Sequence, residues 1–140
     1  MAIVTTYRNG CPSWVDVAVP DTAAATRFYT ALFGWEAEDQ GEEAGHYTML
    51  RLKGKAVGGM GPRRGDAGPP LWGVYLSVDD LAAVSAAIEP AGGSIVMPAM
   101  EVMEAGSMLV ALDATGSMFH LWQPNQHIGS ELVNEPGAFV

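Results

Sequence analysis

A chain of 140 residues suits one compact domain, which buries roughly 68–70% of the surface that its unfolded form exposes. With 7 basic and 16 acidic residues the net charge is −9, which argues against nucleic acid and anionic membranes as partners. No apolar stretch approaches the ~18 residues of a membrane span. The single Cys11 excludes an intrachain disulfide, and the N-terminus lacks a secretion signal, so we expect a cytoplasmic protein.

The sequence repeats itself once, at an offset of 59 residues. The strand-like run Val15–Val19 recurs as Val74–Val78, and in both copies aspartates and a helical pattern follow. Met49 likewise matches Met108. A repeat of this length that occurs only twice indicates a duplicated supersecondary module whose two copies build one domain.

The first module is predicted to span about residues 10–61. Apolar and other residues alternate over 13–19, which is typical of a strand covered on one side. Asp21 supplies the N-cap of a helix that Gly34 ends. The later strand-like pieces of this module are Tyr47–Leu52 and Ala56–Met60.

The second module is predicted to span about residues 70–124, after a turn-rich connection at 61–70. It begins with a strand from Trp72, and Asp79 or Asp80 caps the helix that follows. The later strand-like pieces are Ser94–Met97, Ser107–Leu112 and Ser117–Gln123. Residues 1–124 therefore form the predicted single domain, and the aperiodic residues 125–140 form a C-terminal tail.

Several short motifs in the two modules occur in a recognisable combination. They are Arg27-Phe28-Tyr29, Leu32-Phe33-Gly34-Trp35, Val78-Asp79-Asp80-Leu81 and the ending Leu112-Asp113-Ala114-Thr115-Gly116-Ser117-Met118-Phe119-His120-Leu121-Trp122. Together with the duplicated module, they resemble the vicinal oxygen chelate superfamily, which includes glyoxalase I, extradiol dioxygenases and bleomycin resistance proteins. The resemblance covers about residues 12–124 and implies an α+β fold. In that fold two strand-helix-three-strand modules form a curved mixed sheet around a central cup, with the helices outside.

A second set of motifs narrows the resemblance to one subgroup. These are Trp14-Val15-Asp16, Phe33-Gly34-Trp35, Gly58-Gly59-Met60 and Leu121-Trp122-Gln123-Pro124. They look most like the actinobacterial hydroxylase-like proteins that carry two such domains in tandem. By analogy with those tandem domains, we expect a homodimer.

The resemblance implies that most ligands of the superfamily's metal site are missing from this chain. Metal-dependent members use side chains near the start of each first strand and on each last strand. Here those positions fall on Trp14, Gly73, the stretch Gly58–Met60 and His120, so one plausible ligand out of four remains. Asp16 could add a second ligand. We therefore expect no cofactor, and a divalent metal could bind only through non-standard ligands.

Strand parity predicts which side chains face the cup. Its aromatic, polar and sulfur-containing residues are Trp14, Asp16, Tyr75, Met118, His120 and Trp122, with Met49, Met103 and Met108 as further candidates. Aromatic walls, adaptable methionines and a few polar groups describe a pocket for a small apolar or aromatic ligand. The alternative is that these side chains simply fill the interior. For His120, a polar or acid/base role, a metal-ligand role and a structural role all stay open.

Three functions remain in competition. The first is a metal-independent protein that binds an apolar or aromatic metabolite for sequestration or modest acid/base catalysis, with Asp16 and His120 as the reacting groups. The second is a metal-dependent lyase or oxygenase with non-standard ligands. The third is a non-catalytic interaction domain that has lost its pocket.

Overall fold

Both predicted helices form, and each begins at an aspartate. The carboxylate of Asp21 accepts a hydrogen bond of 3.0 Å from the Ala24 amide, and Asp80 accepts an equivalent bond of 3.0 Å from Ala83. These caps start α1 (Thr22–Phe33) and α2 (Leu81–Ile88). Gly34 ends α1 in the left-handed region at φ 69°, as its sequence position predicts.

A computed structural model describes residues 1–65 and 69–139. The predicted connection 61–70 therefore includes residues 66–68, which lie outside the described residues. The strands are β1 (Ala2–Ile3), β2 (Pro12–Val19), β3 (Glu36–Asp39), β4 (Thr48–Leu52), β5 (Lys55–Pro62), β6 (Trp72–Ser77), β7 (Ser94–Val102), β8 (Gly106–Leu112), β9 (Met118–Pro124) and β10 (Leu132–Val133). Two helices with parallel and antiparallel strand pairs confirm the predicted α+β class.

The chain divides into two compact units. Unit one comprises Met1–Val4, Trp14–Trp72 and Gly129–Val140, and unit two comprises Thr5–Ser13 and Gly73–Ile128. In unit one the strands follow the order β3-β4-β5-β2, with β2 and β5 parallel and the other neighbours antiparallel. In unit two they follow the order β6-β9-β8-β7, with β6 and β9 parallel. The central cup between the modules stays a prediction.

The core of unit one lies on the face of β2 that carries Val17 and Val19. Both side chains are buried and pack with Leu50, Val57, Met60 and Leu132. Leu132 belongs to the predicted C-terminal tail, yet its side chain is fully buried in this core. Glu131 ties the same segment to β5, since its amide donates to the Ala56 carbonyl at 2.8 Å. The segment after residue 128 is therefore part of the packing of unit one.

The core of unit two lies between α2 and its strands. The buried residues there are Val78, Leu81, Ile88, Leu109, Ala111 and Leu121. Leu81 and Ile88 stand seven residues apart on α2, which places them on the same face of that helix. Within the part of the chain that the structure describes, neither helix is long and apolar enough to cross a membrane.

Candidate functional site

Three side chains of unit one form a hydrogen-bonded chain. The indole Nε1 of Trp14 donates to the hydroxyl of Tyr47 at 3.0 Å, and that hydroxyl donates to Oδ2 of Asp16 at 3.1 Å. Trp14 is buried, whereas Asp16 and Tyr47 are half-buried. Because both end residues contact the same hydroxyl, Trp14 and Asp16 share one face of β2, as strand parity predicts.

Gly59 makes room for this chain. It pairs with Asp16 across β2 and β5 and with Met49 across β4 and β5. A Cβ atom at Gly59 would overlap the ring and hydroxyl of Tyr47. The tyrosine therefore lies directly over the glycine, and a larger residue there would displace it.

Unit two carries a stack of aromatic rings on β6 and β9. Tyr75 pairs with His120 across these strands, and their rings stack with centroids 4.5 Å apart. Trp122 meets Tyr75 edge to face, with centroids 6.5 Å apart. Its indole Nε1 donates to the carbonyl of His127 at 2.8 Å, which fixes the orientation of the ring. Tyr75 and Trp122 are both buried.

His120 lies over a second glycine. A Cβ atom at Gly73 would stand 2.6 Å from Cε1 and 3.0 Å from Nδ1 of the imidazole, so the ring covers this position. Nδ1 is buried, and no hydrogen-bond partner for it lies among the described residues. Burial lowers the pKa of His120 below its usual 6.5, and a hydrogen bond with the Val74 backbone partly opposes this effect. The imidazole is therefore neutral near pH 7.

The four methionines predicted for the pocket differ in their surroundings. Met49 is half-buried and lies beside Gly59, and Met108 is half-buried and pairs with Trp122. Met118, at the start of β9, is 57% exposed. Met103 is 64% exposed in the turn between β7 and β8, at φ 49°, rather than on a strand face. The structure thus places Met49 beside Gly59, which pairs with Asp16, and Met108 beside Trp122.

The residues at the family's metal-ligand positions do not fit a metal. Tyr47 covers Gly59 and His120 covers Gly73, while Trp14 uses its indole N–H on Tyr47. Across residues 1–65 and 69–139, no group of three or more His, Cys, Asp or Glu side chains is placed to hold a metal ion. Asp16 and His120 alone are fewer ligands than a stable protein metal site normally supplies.

Two contributors were not predicted from the sequence. Tyr47 was identified only as the start of a strand, although its parity with Met49 and the glycine opposite could have indicated its position. His127 was not among the predicted site residues, but its ring packs against Trp122 with centroids 5.8 Å apart. No local motif marks this contact, because it depends on how the chain turns after β9.

Each unit has an open groove on the helix side of its strands. In unit one a groove of about 580 Å³ runs between α1 and the C-terminal segment, and Tyr29, Phe33, Trp35 and Trp72 line much of it. In unit two a groove of about 340 Å³ is lined by residues of α2 and by Leu112 and Phe119. Of the described residues, none of the nine predicted for the site lines either groove.

The chain is similar to known proteins along nearly its whole length. It is 43% identical over 139 residues to "Putative glyoxylase CFP32" of Mycobacterium bovis, a match that covers 96% of this chain and 53% of that protein. It is 36% identical over 152 residues to "Anthracycline biosynthesis protein DnrV" of Streptomyces peucetius, covering 96% of this chain and 54% of that protein. The chain thus spans about half the length of the curated relatives it matches.

A solved structure shares the fold at low sequence identity. A glyoxalase/bleomycin resistance protein/dioxygenase superfamily member from Vibrio splendidus aligns with a TM-score of 0.58 at 13% identity, covering 79% of this chain and 96% of that chain. The model of the Glyoxalase/Bleomycin resistance protein/Dioxygenase superfamily matches residues 12–121. This chain therefore belongs to the glyoxalase/bleomycin resistance protein/dioxygenase superfamily.

Proposed function

We propose that this chain is a metal-independent member of its superfamily that binds a small apolar or aromatic molecule, for sequestration or for a modest acid/base reaction. One observation carries the proposal. Gly73 stands at one expected metal-ligand position and Gly59 lies within the stretch Gly58–Met60 that covers another, and side chains of the same module cover both glycines. A metal ligand introduced there would need Tyr47 or His120 to move. What remains for chemistry is a carboxylate and an imidazole.

His120 is the acid/base group of this proposal. A neutral imidazole can accept a proton from a weakly acidic group of a ligand, such as an enol, a phenol or a carbon acid. Burial favours that neutral form, and the stack on Tyr75 holds the ring in one orientation. The buried Nδ1, which has no partner among the described residues, supplies an unused hydrogen-bonding atom.

Asp16 is the anionic group of this proposal. Tyr47 donates to one of its oxygens, and Trp14 in turn donates to Tyr47. A carboxylate held in this way keeps a fixed orientation, so it can accept a hydrogen bond from a hydroxyl or N–H group of a ligand. Asp16 therefore orients the ligand, and His120 exchanges the proton.

The aromatic residues indicate the class of ligand. In unit one Trp14 is buried, and Asp16 and Met49 are half-buried; in unit two Tyr75 and Trp122 are buried, and His120 and Met108 are half-buried. Rigid rings together with flexible methionines suit a flat, apolar molecule. The Streptomyces relative is named for anthracycline biosynthesis, and this name agrees with a polycyclic aromatic ligand. The sole cysteine and the acidic composition support action in the cytoplasm, without nucleic acid or membrane partners.

Elemental analysis combined with native mass spectrometry tests the proposal on protein purified without added metal. We expect less than about 0.1 metal ion per chain and an organic adduct, because two ligands hold divalent ions weakly. Once the adduct is identified, His120→Ala should weaken its binding or turnover roughly tenfold, as should Asp16→Asn. Val96→Ala, at an exposed position on β7 in the same unit as His120, serves as the matched control. Full function in both variants would overturn the acid/base role.

A double-mutant cycle tests whether the two groups act on one ligand, as the predicted cup requires. If they do, the effects of Asp16→Asn and His120→Ala on affinity will not add, because residues that share a partner are coupled. Additive effects would mean that Asp16 and His120 do not contact the same ligand. Failure of any adduct or probe to bind would favour the third function, a non-catalytic interaction domain.

The second candidate is a metal-dependent lyase or oxygenase, which the name of the Mycobacterium relative favours. It would require non-standard ligands that include Asp16 or His120. Stoichiometric Mn, Fe, Ni or Zn that survives dialysis, and that is lost in His120→Ala, would establish this function instead.

A further inference from the structure

The face of β5 that Tyr47 covers continues to the end of the strand. A Cβ atom at Gly59 would overlap the Tyr47 ring, and a Cβ atom at Gly61 would contact it at 3.5 Å. Met60, between these glycines, points the other way and is buried in the core of unit one. The side chains therefore alternate regularly along this part of β5, with the odd-numbered positions on the side of Tyr47.

Arg63 continues this alternation one residue past the end of β5. Its amide donates to the carbonyl of Val19 at 2.8 Å, so the pairing with β2 extends beyond Pro62. Its side chain therefore lies on the same side of the sheet as Gly61 and Tyr47. Arg63 thus belongs to this face of unit one, and not to the turn-rich connection in which the sequence places it.

No carboxylate among the described residues neutralises the charge of Arg63. The ion pairs in the described part of the chain involve Arg51, Lys53 and His46, and none of them involves Arg63. Nε of its guanidinium is buried and has no hydrogen-bond partner within residues 1–65 and 69–139, although the side chain as a whole is half-buried. A partly buried guanidinium without a counter-charge is costly, and an anion that binds it removes this cost.

Asp16 and Arg63 stand at the two ends of a surface made of small residues. Asp16 pairs with the residue four positions before Arg63 on β5, so the two backbone positions lie roughly 13 Å apart along the strand. Between them Gly61 pairs with Ala18 of β2, which is exposed. These two small residues leave room for a flat molecule beside the ring of Tyr47.

We infer that Arg63 binds an anionic group of the ligand, so that the ligand is a flat aromatic acid with a hydroxyl or N–H group at its other end. The acid group pairs with the guanidinium, which presents parallel N–H donors to a carboxylate. The donor group at the other end binds Asp16, and the rings between the two ends lie against Tyr47. In a chain of net charge −9, an anion needs a local cation in order to bind. This inference rests on the proposed function, because it assigns a ligand class to the same face.

Isothermal titration calorimetry with three probes tests the inference. The probes are 6-hydroxy-2-naphthoate, its neutral amide 6-hydroxy-2-naphthamide, and 2-naphthoate, which lacks the hydroxyl. At about 50 mM salt we expect the wild type to bind the hydroxynaphthoate at least about tenfold more tightly than its amide, because the acid adds a charge-assisted contact. Arg63→Gln should weaken binding of the hydroxynaphthoate about tenfold and leave binding of the amide unchanged. Arg64→Gln is the matched control and should retain the preference, because the guanidinium of Arg64 lies over Gly45.

The hydroxyl group of the probes separates this inference from the proposed function. Asp16→Asn should remove the preference for the hydroxynaphthoate over 2-naphthoate and keep the preference for the acid over the amide. Equal affinity of the wild type for the acid and the amide, or a preference that persists in Arg63→Gln, would overturn the inference and leave the proposed function standing. A preference that is lost only in Arg63→Gln, with every affinity unchanged in Asp16→Asn and His120→Ala, would support the inference and overturn the proposed acid/base role. A hydroxynaphthoate that does not bind at about 1 mM would overturn the inference.

Thermal unfolding provides a second readout, and circular dichroism must show that every variant is folded. Arg63→Met keeps an unbranched side chain but removes the charge, so we expect its Tm without ligand to be higher than that of the wild type by about 2 °C or more. Saturating hydroxynaphthoate should raise the Tm of the wild type and leave that of Arg63→Met unchanged. A lower Tm for Arg63→Met without ligand would show that the protein itself stabilises this charge, and it would overturn the inference.

Discussion

In both modules a glycine and a large side chain occupy the first and last strands, but the two modules place them on opposite strands. In unit one the aromatic residue stands on the first strand, at Trp14, and the glycine stands on the last strand, at Gly59. In unit two the glycine stands on the first strand, at Gly73, and the larger residue on the last strand, at His120. In each unit a ring of the same module covers the glycine.

This difference assigns a different polar group to each copy. The ring over Gly59 is Tyr47, which binds a carboxylate, whereas the ring over Gly73 is itself a titratable imidazole. The two copies of a duplicated module can therefore carry two distinct polar groups when they differ in which strand holds the glycine. We therefore expect the site to require each glycine, just as it requires the side chain that covers that glycine.

The largest effect should follow from Gly59→Ala. Its Cβ would overlap Tyr47, which cannot move without breaking its bonds to Trp14 and Asp16. We expect a loss of about 2–3 kcal/mol in the free energy of unfolding, from overpacking and from unsatisfied polar groups. Denaturant titration measures this loss.

Gly61→Ala provides the matched control on the same strand. Its Cβ would stand 3.5 Å from the Tyr47 ring, an ordinary contact distance. The control should change stability by less than about 0.5 kcal/mol. Equal effects of the two substitutions would show that the tyrosine does not depend on Gly59.

The next effect should follow from Tyr47→Phe. This change keeps the ring but removes the acceptor of Trp14 and the donor to Asp16, so we expect a loss of about 1–2 kcal/mol in stability. Tyr29→Phe removes an equivalent bond with Trp72 at a more exposed position and should cost less. If both variants unfold at the same denaturant concentration, the hydrogen bonds of Tyr47 contribute no more to stability than the bond of Tyr29.

In unit two, Gly73→Ala should have a smaller effect of about 1 kcal/mol. Its Cβ would meet the imidazole of His120 at 2.6 Å, and this half-buried ring can shift only by giving up part of its stack on Tyr75. The same substitution in a His120→Ala background should be nearly neutral, because the atoms that it contacts are absent. A double-mutant cycle by thermal unfolding measures the coupling. Additive effects would contradict the view that His120 needs Gly73.

The helices and most strands were predictable because their signals are local. Asp21, Asp80 and Gly34 mark helix ends by their own hydrogen bonds and dihedral angles. In contrast, β3 (Glu36–Asp39) was not located, since all four of its residues are exposed and Ala37 is the one apolar residue among three carboxylates. The extension of β7 past Pro98 was missed as well. A proline is tolerated there because β7 is an edge strand with register shifts.

The site was predictable only as far as strand parity reaches. Parity correctly placed Trp14 with Asp16 on one face of β2, and it identified Tyr75 and His120, which the structure pairs. The role of Tyr47 depends on the register of three strands and on the space over Gly59. Parity with Met49 could have indicated the strand face of Tyr47, but its hydrogen bonds to Trp14 and Asp16 join distant residues, and no pattern within a short window indicates them.

The smallest expected effect is on the pH dependence of stability. It distinguishes the imidazole of unit two, His120, from the carboxylate of unit one, Asp16. Because burial lowers the pKa of His120 in the folded state, the unfolded chain binds more protons just below pH 6.5. Stability should therefore fall as the pH drops from 6.5 through the lowered folded pKa of His120. His120→Gln should lose this part of the decline, whereas Asp16→Asn should retain it. Thermal unfolding from pH 7.5 to 5 gives stability as a function of pH for the wild type and the two variants. Parallel curves for wild type and His120→Gln would show that the imidazole is not held buried and neutral in the folded state.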